Sequence, residues 1–337
     1  MDTKHFYSLF IILFLTISCQ KKQNQFFVVQ GEAQGSTYSI KYVANEELVT
    51  KNQIDSLLTA FDLSLSTYRT DSKISKINAG DSTTVVDDLF KETFKASNTI
   101  YSETNGLFDP TIGVLVNAYG FGPNHQHASL NQKQIDSLLV FVGFNKVKLN
   151  ENNTVTKKYS ETYFDFNAIA QGYSVDVVMN FLKSKGIGNG IVEIGGELFA
   201  LGTNIIDSKN WVIGIDDPLQ KPDERKLIAT LKLKNLGMAT SGNYRKVIVD
   251  SLTGEKFVHI INPKTGNRQK TNVLSATVLA PTCMMADGYA TAFMIMSVEE
   301  TKLFLQNHPE LNVMLLYVDD KNKMQQFVTD NFKKLLQ

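Results

Sequence analysis

Asp287 and Thr291 stand four residues apart in a stretch, Cys283 to Met296, that is otherwise small and apolar. Read as a buried helix, that spacing stacks the carboxylate and the hydroxyl on one face, a turn apart. Burying two such side chains in an apolar setting is costly unless they bind something, and a pair of oxygen donors suits a hard cation such as Mg²⁺. The competing reading makes Asp287 a helix cap and bonds Thr291 back to a backbone carbonyl. On this pair alone both readings stand.

Four further stretches carry polar or aromatic groups where a loop meets a regular element. They are Ser66-Thr67-Tyr68, the run Asp165 to Tyr173, the run Ala239-Thr240-Ser241-Gly242-Asn243-Tyr244-Arg245, and the run His259-Ile260-Ile261-Asn262-Pro263-Lys264-Thr265-Gly266. His259 has an ordinary pKa near neutrality, which suits a general base, although a structural histidine at a strand end is the alternative. Arg245 can steady a phosphate oxygen or form a surface ion pair. Gly106 to Gly113 and Tyr119 to Pro123 have the glycine and aromatic density of loops that line ligand sites. The chain has no Gly-x-Gly-x-x-Gly at a helix start and no Walker-type loop. It also lacks Cys-x-x-Cys, His-Glu-x-x-His and Gly-x-Ser-x-Gly. Rossmann, P-loop, zinc, haem and hydrolase-elbow chemistries are therefore not indicated.

The elements that must hold these residues alternate in type. Phe26 to Gln30 and Thr37 to Val43 read as strands, and Ile54, Leu57, Leu58, Phe61 and Leu65 fall at helical spacing. Asp71 or Ser72 can cap a short helix with Ile74 and Ile77. A longer helix is expected over Asp87 to Glu103, with Leu89, Phe94, Ser97 and Tyr101 inward and Gly106 ending it. A helix near 132–141 and a hairpin about Glu151-Asn152-Asn153 follow. Thr162 to Phe166 reads as a strand, and Asn167 to Tyr173 as a small-residue turn opening a helix to about Lys185. Beyond the run Ile191 to Glu197, strands are expected at Trp211 to Ile215 and on both sides of Asp250 to Gly254. Ser297 with Glu300 forms a capping box before a strand at Val313 to Val318. Hairpins mixed with separated helices argue for an α+β fold with mixed or antiparallel sheets, not a doubly wound parallel sheet.

The 337 residues contain 34 Lys+Arg and 34 Asp+Glu, a balance that gives no field for nucleic acid. Lys4 precedes an apolar run, Phe6 to Ile17, too short to span a bilayer and shaped like a signal-peptide core. It ends at Ser18-Cys19, which resembles a bacterial lipobox with Thr16 where leucine is usual. Residues 1–18 then read as a lipoprotein signal, Cys19 as the lipidated residue, 19–25 as a tether and 26–337 as one domain. A plain secretory signal is the alternative. The chain is expected to be exported and lipid-anchored to a bacterial membrane, facing the periplasm. Cys283 would then have no disulfide partner.

Taken together and in this order, the five stretches resemble the ApbE family, the FAD:protein FMN transferases, from Gly31 to about Tyr317. The resemblance implies an α+β, T-fold-like architecture with FAD in a central cleft. It also implies Mg²⁺-dependent transfer of FMN from FAD onto a threonine hydroxyl of an acceptor protein, with release of AMP. That acceptor would be a subunit of a membrane redox complex. By position, Asp287 and Thr291 match metal ligands, and Ala168 matches the residue whose backbone carbonyl binds the same metal. Tyr68 matches the aromatic along the isoalloxazine, and Leu107, Phe108 and Asp109 the segment walling it. Asp165, Gln34 and Gln171 match further FAD positions. Ile260 or Ile261 is expected beside the nucleotide and His259 near the phosphates. This chain departs from the family at Gln34-Gly35-Ser36, where Met-Gly-Thr is usual, and at Gln171, where Lys or Glu is common. A flavin-binding lipoprotein, an FAD pyrophosphatase yielding FMN and AMP, and an anchored interaction module are the alternatives.

Overall fold

The computed structural model describes residues 23–123, 129–220, 224–242, 247–249, 256–258, 260–268 and 271–337. β1 (Gln25–Ala33) and β2 (Ser36–Ala44) form a hairpin whose two central residues, Gln34 and Gly35, have φ of 54° and 71°. Left-handed backbone at both positions matches the twist of the flanking strands. α1 (Lys51–Leu65) begins in a capping box between Thr50 and Gln53. Ser72 caps α2 (Lys73–Asn78) by accepting from the Ser75 N–H, and Asp87 caps α3 (Asp88–Glu103) by accepting from that of Phe90. The buried face of α3 is Phe90, Thr93, Phe94, Ser97 and Ile100, whereas Leu89 and Tyr101 are only half-buried. The helix turns this way because the Phe90 ring meets Phe166 edge-on at 5.4 Å and Phe164 at 6.1 Å.

α4 (Gly113–Ala118) lies between the two glycine-rich loops, where the pattern carries no helix signal. There follow α5 (Gln132–Leu139), the hairpin β3 (Val147–Leu149) and β4 (Val155–Lys157), α6 (Asn167–Ser184), β5 (Gly190–Ile194), β6 (Glu197–Leu201), β7 (Trp211–Asp216), β8 (Leu227–Leu233) and β9 (Leu236–Gly242). The chain closes with β10 (Val247–Val249), β11 (Lys256–Val258), β12 (Val273–Ala280), α7 (Cys283–Phe293), α8 (Val298–Leu305), β13 (Asn312–Val318), β14 (Met324–Val328) and α9 (Asp330–Lys333). The fold is α+β, as expected, with antiparallel sheets and packed helices.

Two expectations fail locally. Residues 162–166 do not form a ladder strand. The Asn78 side chain instead accepts from the Phe164 N–H at 2.7 Å and donates to its carbonyl at 2.9 Å, while the Asp165 N–H donates to Pro110 O at 2.8 Å. A side chain and a loop carbonyl thus replace the sheet partner. Residues 167–173 are not a turn either, since α6 starts at Asn167.

The main sheet has eight strands in the order β1-β2-β5-β6-β9-β12-β13-β14, every neighbour antiparallel. Alternation along the strands splits its side chains between two layers. Val192, Ile194, Phe199, Ala239, Val278, Val313 and Leu315 face the helices α1, α3, α6 and α7. Leu198, Ala200, Met238, Leu279, Met314 and Leu316 face the β7–β8 hairpin and α9. Among the described residues, no helix is long and apolar enough to cross a membrane.

Candidate functional site

α6 and α7 lie side by side on the helical face of the sheet, and their contact brings Asp287 to the start of α6. Asp287 does not cap α7. That position belongs to Thr282, whose hydroxyl accepts from the Met285 N–H at 3.3 Å. The Asp287 carboxylate, 7% exposed, accepts through Oδ2 from the Gly172 N–H at 2.9 Å. In a regular helix this N–H belongs to the carbonyl four residues back, that of Ala168. Asp287 thus reaches the turn of α6 that carries the Ala168 carbonyl. Gly172 permits the approach: a Cβ there would lie 2.7 Å from Asp287 Cβ and closer still to the Cys283 carbonyl oxygen.

A turn further along α6, the Asp176 carboxylate accepts from the Cys283 N–H at 2.9 Å and the Met284 N–H at 2.8 Å. Burial raises its pKa to about 6, against the pull of those two donors. The helices are thus antiparallel and matched in steps of four, 176 with 283 and 172 with 287. Continued by one more step of four, that match would set Ala168 opposite Thr291. The Thr291 hydroxyl lies 3.4 Å from that of Ser241 on β9.

The N-terminus of α6 has no side-chain bond from its cap residue, Phe166, though Asp165 Oδ1 accepts from the Asn167 N–H at 2.8 Å. Tyr68 lies near this end. It is 54% exposed, and its pKa is raised by partial burial and by the neighbouring Asp165 and Tyr163. The segment 107–112 runs alongside, bridged from Ile112 to Tyr163. Within it Leu107 is half-buried and Phe108 is packed in the core, which leaves only the Phe108 backbone for a ligand. The Asp109 carboxylate is committed too: Oδ1 accepts from the Thr111 N–H and hydroxyl at 2.8 and 2.6 Å, and Oδ2 from the Phe144 N–H at 3.2 Å.

Gln34 and Gln171 meet through Ser174, whose hydroxyl lies 3.1 Å from Gln34 Oε1 and 2.7 Å from the Gln171 carbonyl. Gln34 also hydrogen-bonds Asp62, and the Gln171 amide donates to Ile194 O at 3.3 Å. Both carboxamides thus have protein partners. Ile260 is buried in the main core, and Ile261 with Leu115, Tyr119 and Ile135 in a small separate cluster. His259, Arg245 and Cys19 lie outside the described residues.

Asp176 and the packing role of Gly172 escape a reading by motif. The available signal was spacing: Ala168, Gly172 and Asp176 repeat every four residues, and a glycine inside a helix marks close approach.

Among the described residues no three of His, Cys, Asp and Glu cluster as a metal cage. The candidate donors are one carboxylate, one hydroxyl and one carbonyl, all hard oxygens carrying one negative charge in total. Such a set fits a Mg²⁺ whose remaining ligands are water and a substrate's phosphates.

The model of the ApbE family matches residues 34–315. A relative from Haemophilus influenzae named FAD:protein FMN transferase is 32% identical over 340 residues, covering 96% of each chain. Another of the same name from Vibrio cholerae is 33% identical over 331 residues, again covering 96% of each. The solved flavin transferase ApbE from Vibrio cholerae matches with a TM-score of 0.82 at 31% identity, over 93% of this chain and 100% of that one. The apo flavinyl transferase ApbE from Pseudomonas stutzeri gives 0.81 at 28%, over 93% and 97%. A family match across most of the chain, with the fold reproduced, establishes that this protein belongs to the ApbE family.

Proposed function

We propose that the protein transfers FMN from FAD to a threonine hydroxyl of an acceptor protein and releases AMP. The observation that carries this reading is the α6–α7 ladder, in which the Gly172 N–H holds Asp287 and Asp176 holds the start of α7. The relatives' shared name supports the flavin chemistry.

Asp287, Thr291 and the Ala168 carbonyl would hold Mg²⁺, which when bound neutralises pyrophosphate charge. The N-terminus of α6 adds the positive end of a helix dipole on the same side, favourable to a phosphate. Tyr68 offers an exposed ring for the flavin. In the transfer itself the acceptor oxygen bonds to the FMN phosphorus, the bond to the AMP oxygen breaks, and the hydroxyl proton passes to His259. Phosphoryl transfer rests on alignment and charge compensation, and this chain supplies both from rigid elements. Residues 26–337 form the catalytic unit on this reading, tethered by 19–25 and anchored through a lipid on Cys19 at the periplasmic face of a membrane. The acceptor is a flavin-carrying subunit of a membrane redox complex.

The test is to incubate the purified protein with FAD, Mg²⁺ and a candidate acceptor and follow AMP and acceptor mass. An acceptor heavier by one FMN phosphoryl group is expected. AMP without modification, in the presence of a competent acceptor, would replace the transferase with an FAD pyrophosphatase. Asp287→Ala should abolish both transfer and Mg²⁺ binding, and full activity in that variant would refute the site.

A further inference from the structure

We propose that Asp176 is a positioning residue for the Asp287/Thr291 site, setting the register of α7 against α6. The inference rests on the reading above that Asp287, Thr291 and the Ala168 carbonyl hold a cation.

Thr282 already caps α7 locally, through the Met285 N–H. Asp176 adds a second clamp from a different helix: its two oxygens take the Cys283 and Met284 N–H groups at 2.9 and 2.8 Å. A carboxylate only 8% exposed is costly to keep. What it provides that a local cap cannot is a fixed relation between two helices. Because both of its oxygens are engaged by successive N–H groups, α7 can neither slide nor turn about its axis without breaking a bond.

One turn from Asp176, the Gly172 N–H holds Asp287 Oδ2, and one turn beyond that stands Ala168. Residues in a helix are offset by about 100° of rotation, so a one-residue slip of α7 would carry Asp287 and Thr291 away from α6 together. Gly237 on β9 closes the arrangement from below: a Cβ there would lie 2.6 Å from Cys283 Cα. The far rung of the ladder therefore decides where the near rungs stand.

Asp176→Asn in the full chain tests this. Its carboxamide has one acceptor oxygen, and its NH₂ group faces the other N–H. Three quantities are read: Mn²⁺ affinity by paramagnetic resonance with FAD present, the Mg²⁺ concentration for half-maximal AMP release, and FAD affinity in chelator. We expect both metal constants to weaken on the order of 10- to 100-fold, as for other residues that orient metal ligands. FAD affinity should hold within about twofold, and excess Mg²⁺ should restore AMP release. A variant that melts earlier but has unchanged metal constants makes Asp176 merely structural and overturns the proposal. Asp176→Ser, which can accept one N–H, replaces the asparagine variant if that fails to fold and is held to the same outcomes. On the native protein, Mn²⁺ with FAD should also slow hydrogen exchange of the Cys283 and Met284 amides, and no change there overturns the coupling. Native protein that binds no Mn²⁺ would instead remove the cation reading beneath.

Discussion

Asp109 shows how far a residue's type is from its role. Its place in the resemblance puts it against the flavin, yet its carboxylate holds the 109–111 turn and reaches the Phe144 N–H, 35 residues on. Burial raises its pKa to about 6, only partly opposed by those hydrogen bonds. The folded protein therefore keeps this proton to higher pH than the unfolded chain, whose carboxyl titrates near its ordinary value of about 4. The favourable contribution is full below that value and is lost as pH rises through about 6, a swing on the order of 3 kcal/mol. Compared with the native protein, Asp109→Asn should show a flatter dependence of stability on pH between about 4 and 6, read from urea midpoints across that range. Parallel curves for the two proteins would mean that the carboxyl titrates alike in both states. Sequence alone identified an acid in a loop, whereas its commitment to the Phe144 N–H, 35 residues on, is something only the fold brings about.

At the scale of elements, the site is a product of two helices meeting closely. Gly172 is where they touch, and a methyl group there has nowhere to go between the Cys283 carbonyl and Asp287 Cβ. Gly172→Ala should separate α6 from α7 and cost about 1–3 kcal/mol of overpacking, reduced by the roughly 1 kcal/mol that alanine gains in a helix interior. The Asp287 carboxylate should lose its Gly172 bond, so on the proposed function Mg²⁺-dependent AMP release should fall more than tenfold at fixed metal. Gly188→Ala is the control, because nothing lies within 4 Å of a Cβ at that position. Equal behaviour of the two variants in melting and metal titration would show that the helices tolerate the methyl group. The amphipathic patterns of α1, α3 and α5 and the caps at Ser72 and Ser297 were legible because helices announce themselves locally. The segment 162–166 misled because it has a strand's composition, while its hydrogen bonds go to Asn78 and Pro110. Period and propensity say nothing about a partner 86 residues away.

For the molecule as a whole, the sheet separates two tasks. One face carries the helices that build the site, and the other is closed by the β7–β8 hairpin and by α9, with Trp211, Leu231, Leu233 and Phe332 buried against Met314 and Leu316. A sheet so covered must keep both layers dry to be stable, but on the proposed function only one layer touches the chemistry. The exposed ion pairs, such as Lys51–Asp55 and Lys95–Glu92, contribute little to either. Phe332 isolates the second layer: it is fully buried, sits near the end of the chain and belongs to no helix of the site. Phe332→Ala should remove about 3–5 kcal/mol through lost burial and a residual cavity. The loss should appear as a lower melting temperature, and below that temperature FAD affinity and the Mg²⁺ half-saturation of AMP release should match the native protein. If metal half-saturation moved with stability, the sheet would be transmitting strain between its faces through the interleaved side chains of β13, where Leu315 points to the site layer and Leu316 to the other. Comparing Phe332→Ala with Gly172→Ala therefore separates a loss of folding from a loss of site geometry, since the first should change stability alone and the second both.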